Sequence, residues 1–337
     1  MTIKDVAAHA GVAVSTVSRV LNNHPDVSAA TRAKVMEAIR KLNYVPNNTA
    51  RDLVAPQTDS IGVVVRGAEN PFYTPIIHAI ESVCEANGYT MVLHQIPVGA
   101  AEVVAAAELV RSKRLRGVIL LGGRFDYTKE EGTSIGVPFV CCTNTNEFGD
   151  LAKDSFSSVS IDDIAEGKRA TRMLVDHGHT KIALVIDSES DHSISQLRLD
   201  GYCQALQEAG IPFDPDLVVQ TIDFTMGAAY EHMSALLDRR QDFTAVFCVA
   251  DSMAIAVMKA LHDHGRRVPE DVSVIAIDGI DISLYTTPTL TTLCQPQRRL
   301  GTEAVEVLLG VLNGTSGNRH IRIDTELRPG GTVAQAR

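Results

Sequence analysis

The residue types able to break or make bonds are scattered along this chain rather than gathered. Gly132-Thr133-Ser134-Ile135-Gly136 fits the G-x-S-x-G pattern of a nucleophile elbow, which needs a strand before the serine and a helix after it. Here Lys129-Glu130-Glu131 precedes it and the apolar run Val137-Pro138-Phe139-Val140 follows, so the match is read as chance. Neither a P-loop nor a G-x-G-x-x-G occurs. His177/His179 and His262/His264 stand in DHGH and HDHG with no carboxylate or thiol cluster to complete a metal site, which suits capping and surface roles. The six cysteines, Cys84, Cys141, Cys142, Cys203, Cys248 and Cys294, have no C-x-x-C spacing. Most lie in apolar runs, as small buried thiols in a reducing cytosol would. The expectation is therefore no catalytic residue, no metal and no cofactor.

Recognition is a better fit than reaction. In residues 14–21, VSTVSRVL, helical spacing turns Val17, Val20 and Leu21 inward and Ser15, Thr16, Ser18 and Arg19 outward. Short hydroxyls and one arginine suit base edges and phosphates. Before this stretch, Thr2 is an N-cap with Asp5 three residues on, and Ile3, Val6, Ala7 and Ala10 follow helical spacing up to Gly11. Two helices joined by a glycine-containing turn make a helix-turn-helix, whose second helix can enter the major groove. On pattern alone, a plain helical hairpin is an equal reading. Ser28 caps a third helix with Val35, Ala38, Ile39 and Leu42 on one face. Charge leans the same way: residues 1–59 carry a net +2 and the remainder −12, within a total of −10. A basic head on an acidic body hints that only the head meets a polyanion.

The elements that must position these groups follow from patterning. A length of 337 residues suggests two or three domains. The stretch YVPNNTARDLVAPQTDS is the most linker-like, with Pro46 and Pro56 bracketing a short helix. From Ser60 onward, apolar strands such as SIGVVV, GVILLGG, KIALVID, AVFCVA and SVIAID alternate with helices. Apolar strands between helices imply parallel sheets covered on both faces, and two successive runs imply two doubly wound lobes. The fold class is therefore α/β. Every apolar run is broken before about 18 residues, so no membrane span is expected. The opening MTIKDVAAHA lacks a signal-peptide layout, so the cytoplasm is the expected compartment.

TIKDVAAHAGVAVSTVSRVLN, VSAATRAKVMEAIRKLNYVPN and TARDLV together closely resemble the headpiece of the lactose/purine repressor (LacI) family of bacterial transcription regulators. The resemblance runs in order through IGVVV…NPFY, VSIDD…GH..IALV, LR.DGY..AL.EAGI, VPEDVSVIAID and TTLCQP, over nearly the whole chain. It implies a helix-turn-helix headpiece (1–46), a hinge helix and linker (47–59) and a two-lobed, periplasmic-binding-protein-like core (60–337). The first lobe is expected at about 60–160 and 293–319, the second at about 162–291 and 322–337. It also implies double-stranded DNA with a pseudo-palindromic operator as partner, a small sugar or sugar-like effector between the lobes, a homodimer and no membrane. The chain ends without a leucine-heptad tail, which favours a dimer over a tail-mediated tetramer.

Carried over by residue, the resemblance puts Val14 and Ser15 where bases are read. Thr16, Ser18, Arg19 and Asn22 fall at common base or phosphate contacts, Thr2, Tyr44 and Asn47 at backbone contacts, and Ala50 in the hinge. Leu53 matches the hinge leucine that wedges into the minor groove. An isolated seven-residue helix is marginal in water, so only a partner helix and DNA would fix it. Ala13 departs from the usual capping serine, which weakens the expected recognition helix by ~1 kcal/mol.

In the cleft, Phe72, Tyr73, Arg198, Phe224 and Asp278 match pocket positions. The alternatives are core packing for the three aromatics and an interlobe ion pair for Arg198 with Asp278. His192 falls at a variable cleft position, either ligand contact or solvated loop. Thr143 stands where sugar-binding members carry Asp, and Ala250 where they often carry Asn. There is no tryptophan to stack on a pyranose, so a sugar, a sugar derivative or a nucleoside-like metabolite all stay open.

Overall fold

The computed structural model describes residues 3–21, 26–41, 58–144, 147–188, 192–221 and 223–337. They divide into two compact units, Met1–Pro56 and Gln57–Arg337.

The first unit holds α1 (Ile3–Ala10), α2 (Val14–Leu21) and α3 (Ala29–Lys41). Val6 and Ala7 from α1, Val17 and Val20 from α2, and Val35 and Ala38 from α3 are buried together as its core. The inward positions that helical spacing picked out are thus the ones that meet. The Ser28 hydroxyl accepts the Thr31 amide at 3.2 Å, capping α3 as its residue type suggests. The Arg32 guanidinium donates to the Val20 carbonyl at 3.3 Å and ties α3 to the last turn of α2. The expected cap at Thr2, the apolar Leu42 and the short helix between Pro46 and Pro56 lie outside the described residues.

In the second unit the chain runs β1 (Ser60–Arg66), α4 (Tyr73–Ala86), β2 (Thr90–Ile96), α5 (Glu102–Lys113), β3 (Gly117–Leu121), α6 (Lys129–Thr133), β4 (Phe139–Cys142) and β5 (Ser157–Ser160). It continues through α7 (Asp163–Asp176), β6 (Ile182–Ile186), α8 (Ile194–Glu208), β7 (Val218–Gln220), α9 (Met226–Arg239), β8 (Ala245–Cys248), α10 (Asp251–Asp263), β9 (Ser273–Asp278) and β10 (Thr291–Cys294). It closes with α11 (Gln297–Leu312), β11 (His320–Arg322) and β12 (Glu326–Arg328). Two six-stranded sheets result, in the orders β11-β5-β4-β3-β1-β2 and β12-β10-β9-β8-β6-β7. All pairings are parallel except β10 with β12. The apolar strands β1, β3, β4, β6, β8 and β9 are buried along almost their whole length, as sheets covered on both faces require.

The chain crosses between lobes after β5, after β10 and after β11. Leu293 and Cys294 pair with Ile277 and Asp278 in the second sheet. His320–Arg322 pairs with Ser158–Ser160 in the first. These strands end at Cys294 and Arg322, within the stretches near 290–294 and 318–324 where the sequence places the crossings. Strand partners, not local residue types, decide on which side a crossing strand falls.

Within the second lobe, α7 and α8 pack unusually close. A Cβ on Gly167 would overlap the backbone of Arg198, and one on Gly201 would overlap the Ile164 carbonyl. This approach brings the Arg198 side chain to Asp163.

Candidate functional site

Two surfaces collect the residues that the sequence singles out. On α2, Val14 is 40 % exposed, Ser15 and Arg19 are exposed, and Thr16 and Ser18 are half-buried above Val17 and Val20. Ala13 offers no side-chain cap; its carbonyl accepts the Thr16 amide at 2.9 Å and the Val17 amide at 3.2 Å. Thr2, Asn22, Tyr44, Asn47, Ala50 and Leu53 lie outside the described residues.

The second surface is a cavity of about 40 Å³ between the lobes. Parallel strands place ligands at their carboxyl ends, and this cavity obeys that rule on both sides. Arg66 ends β1, Gly122 follows β3 and Thr143 follows β4 on one wall; Ala250 follows β8, Asp278 ends β9 and Gln295 follows β10 on the other. Of the seven cleft residues expected from the sequence, Phe72, Tyr73, Thr143, Arg198, Phe224 and Asp278 line the cavity together.

On the first lobe, the Asn70 side chain accepts the Phe72 amide at 3.1 Å and so starts α4 with both aromatic rings at the cavity. Tyr73 directs its hydroxyl inward to Thr143, and burial raises its pKa. Thr143 also accepts the Gly122 amide at 3.2 Å and sits at φ 66°, a strained conformation for a β-branched residue. Its hydroxyl thus serves the wall itself. Gly122 and Gly123 have positive φ, and a Cβ on them would overlap the Tyr73 hydroxyl and the Glu102 carboxylate respectively. Glu102 is 1 % exposed, and one oxygen accepts the Arg124 amide at 2.8 Å. Burial raises its pKa against the opposing pull of hydrogen bonds and of Arg66.

On the second lobe, Arg198 is committed. Its Nε and Nη2 both lie 2.8 Å from Asp163 Oδ1, and Nη1 donates to the Val249 carbonyl. Asp278 is 4.0 Å away. The alternative of an interlobe pair between Arg198 and Asp278 is corrected on two counts. Both residues belong to the second lobe, and the main partner is Asp163. Burial pushes the Asp163 pKa up to about 6, with Arg198 pulling the other way. Asp278 Oδ1 accepts the Gln295 amide at 2.9 Å, whereas Oδ2 is buried without a hydrogen-bond partner. Its backbone is strained at φ 135°, and burial holds its pKa well above the ordinary carboxylate range. Beside it, Asp251 accepts from the Ile280 amide, Ser283 and Thr292 at 2.9, 2.8 and 2.5 Å, which fixes the start of α10.

His192 does not line the cavity. Its carbonyl accepts the Phe125 amide at 3.1 Å, and the two rings meet edge-on with centroids 6.3 Å apart. Phe125 belongs to the first lobe and His192 to the second, so the contact is a clasp between the lobes. Sequence reasoning missed Arg66, Asn70, Ser193 and Gln295, all of which line the cavity. Arg66 had a signal: it is the lone charge ending the apolar strand SIGVVVR. No group of three or more metal-binding side chains occurs among the described residues. No helix among them is long and apolar enough to cross a membrane.

Comparison with known proteins covers both units. The family described as bacterial regulatory proteins, lacI family, matches residues 2–47, and the periplasmic binding protein-like domain matches residues 171–333. The chain is 41 % identical over 329 residues to the HTH-type transcriptional regulator MalR of Clostridium butyricum, covering 97 % of each. It is 35 % identical to the HTH-type transcriptional repressor CytR of Escherichia coli (strain K12), covering 94 % of this chain and 92 % of CytR. Among solved structures, a transcriptional regulator CelR–cellobiose complex is 32 % identical with a TM-score of 0.73, covering 99 % of this chain and 100 % of that one. The lac repressor dimer bound to operator and the anti-inducer ONPF is 27 % identical with a TM-score of 0.71, covering 99 % of each.

Proposed function

The chain belongs to the LacI family of bacterial regulatory proteins, and on that premise we propose that it is a homodimeric cytoplasmic repressor whose hold on a pseudo-palindromic operator is set by a sugar or sugar-like metabolite between its lobes. It is a DNA-binding transcriptional regulator and not an enzyme. The observation that carries the proposal is the convergence of six expected cleft residues on one cavity, in a chain that also carries a helix-turn-helix unit.

The mechanism follows from the position of each group. Val14, Ser15 and Arg19 read base edges and phosphates from α2. Two heads address two half-sites, and two Leu53 side chains wedge at the centre. At about 40 Å³ the cavity has room for only a few water molecules, so a sugar-sized effector enters with the lobes further apart. Ligand and operator thereby favour different separations of the lobes, and the difference in affinity is the coupling between the two sites. Support for a dimer comes from an apolar patch on the second lobe, where Ile282, Leu284 and Tyr285 are 52, 42 and 83 % exposed.

A mobility-shift assay on the region upstream of the protein's own operon tests this reading. The fragment is expected to shift, and cell extract to alter the shift. No shift with or without extract would leave a metabolite-binding protein without DNA function.

A further inference from the structure

We propose that the amino-terminal end of the first sheet is a second DNA-contacting surface, where Arg111, Lys113 and Arg114 hold phosphates of the duplex that α2 reads. The proposal rests on the DNA-binding reading above and adds a contact from the core.

The second unit is acidic on average, yet residues 111–116 read Arg-Ser-Lys-Arg-Leu-Arg. This run closes α5 and turns into β3. Leu115 is 1 % exposed, and a Cβ on Gly62 would overlap its Cδ1, so the turn is plugged into the lobe. Arg111, Lys113 and Arg114 stand exposed around that plug. Arg116 pairs with Asp59 at 3.3 Å, whereas among the described residues no carboxylate pairs with the other three. Elsewhere on the core Lys168, Lys181, Lys259 and Arg267 each hold a carboxylate.

Cations in a last helical turn also answer the helix dipole, and Arg111 and Lys113 stand in that turn of α5. Arg114 has no such reason to be there. It takes the left-handed conformation, φ 57° and ψ 44°, where glycine is the usual residue and a side chain is strained. Stopping a helix calls for glycine; a long cation in its place serves something outside the helix.

The parallel pairing of the first sheet brings the amino ends of β1, β3, β5 and β11 to one end of the lobe. The chain enters the second unit there. The Thr58 amide donates to the Arg114 carbonyl at 3.2 Å, its hydroxyl donates to the Lys113 carbonyl at 3.1 Å, and the Arg116 amide donates to the Ser60 carbonyl at 3.0 Å. A duplex held by the first unit is therefore tethered to this end. Exposed Lys153 and Arg319, ahead of β5 and β11, extend the positive band; Asp59, Glu85 and Asp154 interrupt it, and the first of these is already paired. Residues 1–59 are themselves net +2, so they do not neutralise the band, whereas a phosphate backbone does.

The test uses the full-length chain as wild type, Arg111→Gln/Lys113→Gln/Arg114→Gln, Arg114→Gly and Lys168→Gln/Lys181→Gln/Arg239→Gln, with circular dichroism to establish folding. The last variant places the same loss of charge on the second lobe. Each is titrated with the fragment upstream of the protein's own operon and with a shuffled duplex of equal length, between about 50 and 200 mM salt. The variant at 111, 113 and 114 should bind both duplexes about fivefold or more weakly, with a dependence of log affinity on log salt shallower by about one to three. Arg114→Gly should melt about 1–3 °C higher and yet bind both duplexes about twofold or more weakly. An unchanged salt dependence in the first variant overturns the proposal. So does an equal loss in the second-lobe variant, where overall charge alone would act, or a loss confined to the upstream fragment, which phosphates cannot give. Should the triple variant fail to fold, Arg114→Gly decides: higher melting with unchanged affinity for both duplexes overturns the assignment. Wild type that shifts neither duplex removes the DNA-binding reading itself.

Discussion

Arg198 shows how one side chain changes meaning between sequence and structure. Its type and position fit a ligand-binding fork, yet its nearest charge is Asp163 at 2.8 Å, and both are almost fully buried. Removing one partner of such a pair leaves the other charge buried alone, at about 3–5 kcal/mol. Arg198→Ala is therefore expected to lower the melting temperature sharply before any effect on ligand response can be read. The pH dependence has a definite sign. Asp163 titrates near 6 in the fold, above its unfolded value of ~3.9, so its contribution to stability is complete below about pH 4 and lost as pH rises through 6. Without Arg198 the folded value rises further, and the deficit of Arg198→Ala should be larger at pH 8 than at pH 5. A melting deficit independent of pH would remove Asp163 from the explanation. Ala13 is a second residue-level case. It is exposed, and only its carbonyl serves α2. Ala13→Ser should add a side-chain acceptor worth ~1 kcal/mol, which slows amide exchange in α2 roughly fivefold. Unchanged exchange would mean that the cap is already satisfied by other means.

At the scale of elements, the loop from Gly122 to Tyr127 and the entry to α8 form the mouth of the cavity. The first is anchored in its own lobe: Glu102 accepts the Arg124 amide, Asn144 donates to the Arg124 carbonyl at 2.9 Å, and Gly149 donates to the Phe125 carbonyl at 2.6 Å. A loop held this firmly presents Phe125 to His192 at a fixed place. An edge-on aromatic contact contributes about 0.5–1.5 kcal/mol. Phe125→Ala should therefore speed effector release roughly two- to tenfold in stopped-flow measurements, with little change in association. An unaltered release rate would show that the clasp does not hold the closed form. Neither half of this clasp was legible in sequence. His192 was expected as a ligand contact or a solvated loop, and Phe125 carried no signal at all, because the two residues meet only when separate lobes close. Arg66 was legible in principle, as a charge closing the carboxyl end of an apolar strand, but nothing local says which of the strand ends meet at one cavity.

For the whole molecule, the exposed patch at Ile282, Leu284 and Tyr285 is the observation to explain. Light scattering at micromolar concentration should give twice the 36.3 kDa chain mass, and Tyr285→Asp should shift it toward the monomer and weaken operator binding with it. A tetramer, or a monomer that binds operator as tightly as wild type, would sink the dimer proposal.

Periodicity alone determined most of the architecture. Helical spacing at Val6, Val17, Val20 and Val35 foretold the core of the first unit, and fully apolar strands between helices foretold two covered parallel sheets. Those patterns are local, because an element's buried face repeats along its own sequence. Resemblance to a family, rather than spacing, singled out Phe72, Tyr73, Thr143, Arg198, Phe224 and Asp278, which line one cavity. Tertiary structure alone decided the rest. It assigned β10 to the second lobe, gave Arg198 to Asp163 through the close packing of α7 and α8, left Asp278 Oδ2 without a partner, and set Arg66 against the cavity. Each of these depends on which side chain from a distant segment arrives at hydrogen-bond distance, and no repeat within a single element records that.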